Sequence, residues 1–422
     1  MTSSTLRPGP TAERPVFDPF DPRWASDPFP LYAELRERAP IHRNDMGFWV
    51  VARHADCQAI LRDRRSSSDT MNVDVEGGGA PERFRRRPSE ENPMAAGIVE
   101  MRPFLFRDPP DHSRLRDLVA QAFTPKVVES LRVRTQEVVD ELLDAAMESG
   151  TVDLLTEFAY PLPVRIICDL LGVPFEDQVR FEEWSHALTR GLDPDFLLTD
   201  EVIEARGTAV VQFAQYFFEL LAERKRSPGE DLLSRLAQAE DDGTVLSETE
   251  MLSTCILLLV AGHETIANLI SGATLALLRH PDQLERYRTD PGVHRTAFDE
   301  MLRYVSPIQL TGRVFTEPCE FGGVEFAAGD YAMVLIASAN HDSAEFEDAE
   351  AFDITRTPNA HLGLGFGVHH CLGAPLARME TQVALTSLFR RAPHLALATD
   401  EVVYKANVIL RGVEALPVIM GH

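Results

Sequence analysis

Apolar positions recur every three or four residues through about residue 300, punctuated by Pro and Gly and with no repeat of fixed period. That spacing predicts a mainly α chain with a small β portion. Three short runs, Phe48–Ala52, Cys319–Phe326 and Tyr331–Ile336, read instead as strands. The breaks at Gly322-Gly323 and Ala328-Gly329-Asp330 suit the turns of a small antiparallel sheet. Ser66–Pro103 has no periodicity and reads as a long loop, in which Arg85-Arg86-Arg87 is a solvated face. Residues 1–15 are polar and Pro-rich and are expected to form a flexible N-terminus.

The most informative predicted element opens at Ser247. Ser247-Glu248-Thr249-Glu250 is a capping box, and the apolar pattern that follows runs to Arg279, before Pro281. At 1.5 Å per residue this is a rod of about 50 Å, long enough to cross a domain. A rod so apolar belongs in the middle of the fold rather than on its surface.

A length of 422 residues exceeds what one hydrophobic core ordinarily fills, so a single domain over 1–422 requires a large group inside it. The net charge of -25 argues against nucleic acid or an anionic membrane as partner, because phosphate binding relies on clustered cations. The N-terminal residues lack the apolar stretch of an export signal, and the longest apolar run, Ile256–Ala261, is too short for a bilayer. A soluble cytoplasmic protein is therefore expected. The five cysteines, 57, 168, 255, 319 and 371, form no CxxC pair, which excludes a zinc knuckle or a disulfide framework. Four of them read as small buried hydrophobes. Only three of the basic residues are lysines, Lys126, Lys225 and Lys405.

Two stretches break local rules. Inside the long helix, Ala261-Gly262-His263-Glu264-Thr265 places a Gly, an acid and a hydroxyl where burial makes each unfavourable. This reads either as a functional site or as a helix kink in which Thr265 bonds back to the preceding turn. Near the C-terminus, Gly363-Leu364-Gly365-Phe366-Gly367-Val368-His369-His370-Cys371-Leu372-Gly373-Ala374 lets the backbone wrap closely around something flat. A helix starting just after Cys371 directs its positive end at the sulfur, which suits an anionic metal ligand. The alternatives are an inert Cys in a Gly loop, or a zinc site, for which three adjacent residues are poorly placed.

Together with Glu300-Met301-Leu302-Arg303, these stretches resemble the cytochrome P450 family in its soluble bacterial form. The resemblance extends to Asp27-Pro28-Phe29, Leu410-Arg411-Gly412 and Leu416-Pro417-Val418, and so spans nearly the whole chain. It implies a P450-type fold around a b-type haem whose iron is held by the thiolate of Cys371. It also implies that Glu264 and Thr265 are the acid–alcohol pair that relays protons, with Ala261 and Gly262 making room for oxygen. His112, Arg116, Arg313 and His369 resemble the cations that hold the haem propionates, and Gly365 and Gly373 shape the cysteine loop. Arg378 is expected to face solvent or an electron-delivering partner. Glu300 and Arg303 resemble a structural ion pair that braces that loop.

In two places the chain departs from the family pattern. Leu364 stands where Phe usually packs beside the sulfur, which implies a more open thiolate pocket. Ala351 stands where the brace often has a third basic member, a place that Arg356 is available to take. The resemblance further implies a substrate pocket bounded by the loop before Pro103, Ala187–Leu192, Leu258, Ala261, Ile308, Leu310, Thr311, Val408 and Ile409. These are mostly apolar and suit a small apolar organic substrate. The implied reaction is monooxygenation with O2, by a monomer fed by a separate ferredoxin and ferredoxin reductase. The rivals are a peroxide-driven haem-thiolate enzyme, against which the intact Glu264–Thr265 pair speaks, and a haem sensor or carrier, which would lack a proton relay.

Overall fold

The structure, a computed structural model, describes residues 15–21, 23–69, 102–122, 124–190, 192–193, 198–238, 240–241 and 244–421. The predicted N-terminal segment 1–15 and the loop before Pro103 thus lie for the most part outside the described residues.

Helices dominate, as the periodicity predicts. In chain order they include α1 (Phe29–Arg38), α2 (His54–Arg62), α3 (Asp111–Ala122), α4 (Pro125–Ser149), α5 (Pro161–Leu171), α6 (Gln178–Arg190), α7 (Asp200–Arg226), α8 (Glu248–Arg279), α9 (Pro281–Thr289), α10 (His294–Val305) and α11 (Ala374–Arg391). The rod predicted from Ser247 is α8. Ser247 Oγ accepts from the Glu250 amide at 3.2 Å, while the Glu250 carboxylate accepts from the Ser247 amide at 2.8 Å. By length and composition α8 is apolar enough to cross a membrane, which the longest unbroken apolar run alone did not suggest. Most of that apolar stretch is nevertheless buried inside the fold. Helices α5, α6, α7, α10 and α11 all pack against it, so it is the axis of the main core.

The strands include β1 (Ile41–Arg43), β2 (Trp49–Val51), β3 (Ser66–Ser67), β4 (Thr151–Asp153), β5 (Thr311–Phe315), β6 (Cys319–Phe321), β7 (Val324–Phe326), β8 (Tyr331–Val334), β9 (Ala396–Leu397) and β10 (Pro417–Ile419). The largest sheet has the order β1-β2-β8-β5-β3. It is mixed, which corrects the antiparallel expectation: β8 runs parallel to β2, and the other pairs are antiparallel. Parallel pairing needs a long crossover, and residues 52–330 lie between β2 and β8, so local pattern held no sign of it. The predicted Gly322-Gly323 turn does close a separate β6–β7 hairpin, and both glycines have positive φ. A third sheet, β9-β10-β4, joins the C-terminal segment to the stretch just after α4. Ser66–Ser67, read as loop, is an edge strand against β5.

Candidate functional site

The Gly-rich stretch 363–373 forms a loop that hands directly into α11, whose N-cap is Gly373. Two local features shape it. Gly365 and Gly367 both sit at φ +70, and a Cβ at Gly367 would meet the Leu61 carbonyl at 2.9 Å. The Cys371 amide donates to the Leu364 carbonyl at 2.8 Å, so the residue standing where Phe was expected pins the cysteine by its backbone. Cys371 is accessible, whereas the four other cysteines are buried. Burial still pushes its thiol up, although the amides of Gly373 and Ala374 and the Arg116 guanidinium favour the thiolate. The helix end predicted to stabilise the sulfur is present, but its effect is the smaller one. A bound metal ion is what would ionise this thiol fully.

Beside the loop, four side chains from separate segments meet. His112 and Arg116 stand one turn apart on α3, Arg313 comes from β5, and His369 from the loop itself. The His112 and His369 rings lie 4.3 Å apart, and Arg116 Nη2 donates to the His370 carbonyl at 2.6 Å. Arg313 is buried and, among the described residues, donates only to its neighbours, the Gly312 carbonyl at 2.7 Å and Thr311 Oγ1 at 3.2 Å. Burial brings its guanidinium down to about 10. Burial, then Arg313, His112 and Arg116, drive His369 down to about 3. Among the described residues none of the four makes a salt bridge, and both ring nitrogens of His112 and Nδ1 of His369 are buried without a hydrogen-bond partner. Orphaned buried polar atoms in a cationic cluster call for an anion. Two carboxylates of a flat, largely apolar group would answer that need, and the donor set therefore fits a haem, whose propionates these four side chains would hold and whose iron Cys371 would bind.

On α8, Thr265 Oγ1 donates to the Ala261 carbonyl at 2.7 Å. This is the back-bond weighed in the sequence, and it leaves the hydroxyl oxygen able to accept. Ala261 is exposed. Gly262 is half-buried and faces α5. A Cβ built there would meet Ile167 of α5 at 3.5 Å, an ordinary van der Waals contact. Glu264 is only 3% exposed. Its Oε1 accepts from Lys405 Nζ at 2.5 Å, and its Oε2 lies 3.6 Å from His263 Nε2. Burial works to raise this carboxyl, but His263 and Lys405 outweigh it and hold it at about 2. His263 is itself wholly buried, with Nδ1 2.9 Å from the Leu259 carbonyl and Ser185 Oγ of α6 about its ring at 2.9 and 3.0 Å. Sequence reasoning gave a role at the site to neither Lys405, noted only as one of three lysines, nor Ser185. The one available signal was a lone lysine in an otherwise apolar C-terminal stretch.

Glu300 and Arg303 of α10 are both fully buried and joined by two 2.8 Å bonds. The place vacated by Ala351 is filled by Arg356, whose Nε donates to Glu300 at 3.1 Å. Arg303 also donates to the carbonyls of Asn340, Ala349 and Ala351, so the pair gathers the segments leading into the cysteine loop. Arg378 is tied down rather than free: it bonds Asp299 at 2.6 Å and lies over the Phe298 ring.

The predicted pocket residues divide. Leu310 is packed into the core against the sheet, with Val408 and Ile409 half-buried beside it. Leu258 is half-buried at the edge of the main core, with Ala187 nearby in the same cluster. Ile308 bridges to Leu410, and Thr311 begins β5. Both are half-buried.

Comparison with known proteins shows the family. The family model described as Cytochrome P450 matches residues 82–291 and 293–401. 6-Deoxyerythronolide B hydroxylase of Saccharopolyspora erythraea is 40% identical over 408 residues, covering 93% of this chain and 96% of its own. Cytochrome P450 monooxygenase PikC of Streptomyces venezuelae is 39% identical, covering 97% and 95%. The solved structure of the bacillaene polyketide synthase cytochrome P450 PksS of Bacillus subtilis superposes with a TM-score of 0.87 at 36% identity, covering 96% of this chain and 100% of that one.

Proposed function

The chain belongs to the cytochrome P450 family of haem oxidoreductases, and from that premise we propose that it inserts one oxygen atom into a small apolar organic substrate, by hydroxylation or epoxidation. The second oxygen atom leaves as water. Two electrons arrive singly from a separate ferredoxin and its reductase. The enzyme acts as a cytoplasmic monomer of one domain. The observation that carries the reading is the cluster of His112, Arg116, Arg313 and His369 beside Cys371, with buried ring nitrogens that lack partners.

Bound there, the haem supplies binding and activation of dioxygen. Cys371 is its thiolate ligand, oriented by its bond to Leu364 and favoured as an anion by the α11 amides. His112, Arg116, Arg313 and His369 hold the propionates. Glu264 takes up protons from the solvent side and Thr265 positions the water that carries them inward, while the apolar walls keep bulk water away. Leu258, Ile308, Thr311, Val408 and Ile409 bound the substrate. Relatives named for polyketide biosynthesis and for hydroxylation of 6-deoxyerythronolide B make a polyketide the first class to screen.

The test is the absorption spectrum of the reduced, CO-bound protein. A Soret band strongly red-shifted from that of a histidine-ligated haem is expected, and Cys371→Ser abolishes the shift; a band at the histidine position in the unaltered protein overturns the ligand assignment. Product formation with NAD(P)H, ferredoxin and reductase should exceed that with peroxide, and the reverse result favours the peroxide-driven reading.

A further inference from the structure

Residues 403–414 fold back on themselves as a narrow loop. Tyr404 bridges to Val413, the Lys405 amide donates to the Gly412 carbonyl at 2.9 Å, and the Glu414 amide donates to the Val403 carbonyl at 2.8 Å. Val408 and Ile409 lie at its tip. Its far side is bonded to the backbone of 307–309, the Gln309 amide donating to the Ile409 carbonyl and the Arg411 amide to the Pro307 carbonyl, both at 2.8 Å, and Arg411 donates to the Ser26 carbonyl at 2.9 Å; two further contacts join the loop to buried carboxylates far away in sequence. Near its base, Lys405 clasps Glu264 of α8. At its tip, the buried carboxylate of Asp193, just beyond α6, accepts from the Val408 amide at 3.1 Å and the Ile409 amide at 3.0 Å. Helix α6 is in turn joined to α8 through Ser185 and His263. The contacts close a circuit: α6 to α8, α8 to the loop, and the loop back to the segment after α6.

A carboxylate locked to an ammonium group in a buried site is a poor proton donor, since protonating it means giving up the ion pair. Glu264 therefore relays protons only when Lys405 is withdrawn. The reach of Lys405 is set by the loop, whose tip is held between the Asp193 carboxylate, on the Val408 and Ile409 amides, and the Gln309 amide, on the Ile409 carbonyl at 2.8 Å. We propose that Asp193 and Lys405 are positioning residues of one release device, in which a substrate displacing Val408–Ile409 breaks the Asp193 contact, draws Lys405 back and frees Glu264. The device rests on the reading of Glu264 as the proton-delivery acid. Besides Lys405, the titratable groups recorded around Glu264 among the described residues are His263 at its side and His186 on α6, the latter facing Arg190 as well.

The test uses the holoenzyme without substrate, followed by NAD(P)H oxidation through a surrogate ferredoxin and its reductase, across pH and in H2O against D2O. Lys405→Met should raise the rate several-fold, shrink the solvent isotope effect and introduce a pH inflection from the freed carboxyl, while Lys405→Arg keeps the original behaviour. Asp193→Ala should reproduce the Lys405→Met profile, with Asp193→Asn in between because it retains an acceptor. The double variant should do no more than either single one, since both act through the same release. Additive effects, or an Asp193→Ala profile like that of the unaltered enzyme, overturn the device. Glu264→Gln separates the two ideas: if it leaves the rate and isotope effect unchanged, the underlying proton-delivery reading fails. The red-shifted CO band should be present in every variant, which shows that the fold is kept.

Discussion

Glu300 is the residue whose removal the structure makes most costly to the fold. Its carboxylate accepts five bonds in a wholly buried site: two from Arg303 at 2.8 Å, one from the Asp353 amide at 2.9 Å, and one each from Arg356 and Asn359 at 3.1 Å. Glu300→Ala removes all five and leaves the Arg303 guanidinium charged in the interior, facing only backbone carbonyls. Breaking a buried pair from one side costs about 3–5 kcal/mol. Against a total stability of roughly 5–15 kcal/mol, that is a large fraction. The loss falls on segments that lead into the cysteine loop, so haem incorporation should suffer with stability. Denaturant unfolding and the ratio of haem absorbance to protein measure the two effects. For contrast, Glu129→Ala, which removes an exposed pair with Arg132, should leave both where they were. A Glu300→Ala protein with an unaltered midpoint and full haem content refutes the bracing role.

Thr265→Ala should keep the red-shifted CO band yet divert electrons to peroxide, with product per NAD(P)H falling roughly tenfold, a modest share of what acid–base delivery contributes; unchanged yield counts against the relay. Glu264, held at about 2 against an ordinary 4.5, adds stability that is fully present above pH 4.5 and is lost as pH falls towards 2. The difference in unfolding midpoint between the unaltered protein and Glu264→Gln should therefore shrink across that window, and equal pH slopes would exclude the ion-pair picture. Leu364→Phe should exclude water from the sulfur, strengthen its donation to ferric iron and lower the reduction potential, as spectroelectrochemical titration would show; an unmoved potential removes Leu364 from the account.

Much of this was legible in the sequence because its causes are local. The Ser247–Glu250 box, the apolar run to Arg279 and the Gly-rich approach to a helix beginning at Ala374 each depend on residues within a few positions of one another, and each stands where the pattern put it. The spacing of His112 and Arg116 likewise placed them on one helix face before any fold was known.

What the tertiary structure alone decided is which distant groups meet. Lys405 reaches Glu264 across 141 positions and Asp193 caps Ile409 across 216. The parallel pairing of β2 with β8 belongs to the same class. Periodicity and capping follow from backbone geometry over one or two turns. Ion pairs and sheet order follow from how whole elements pack, and desolvation then makes those few contacts decisive.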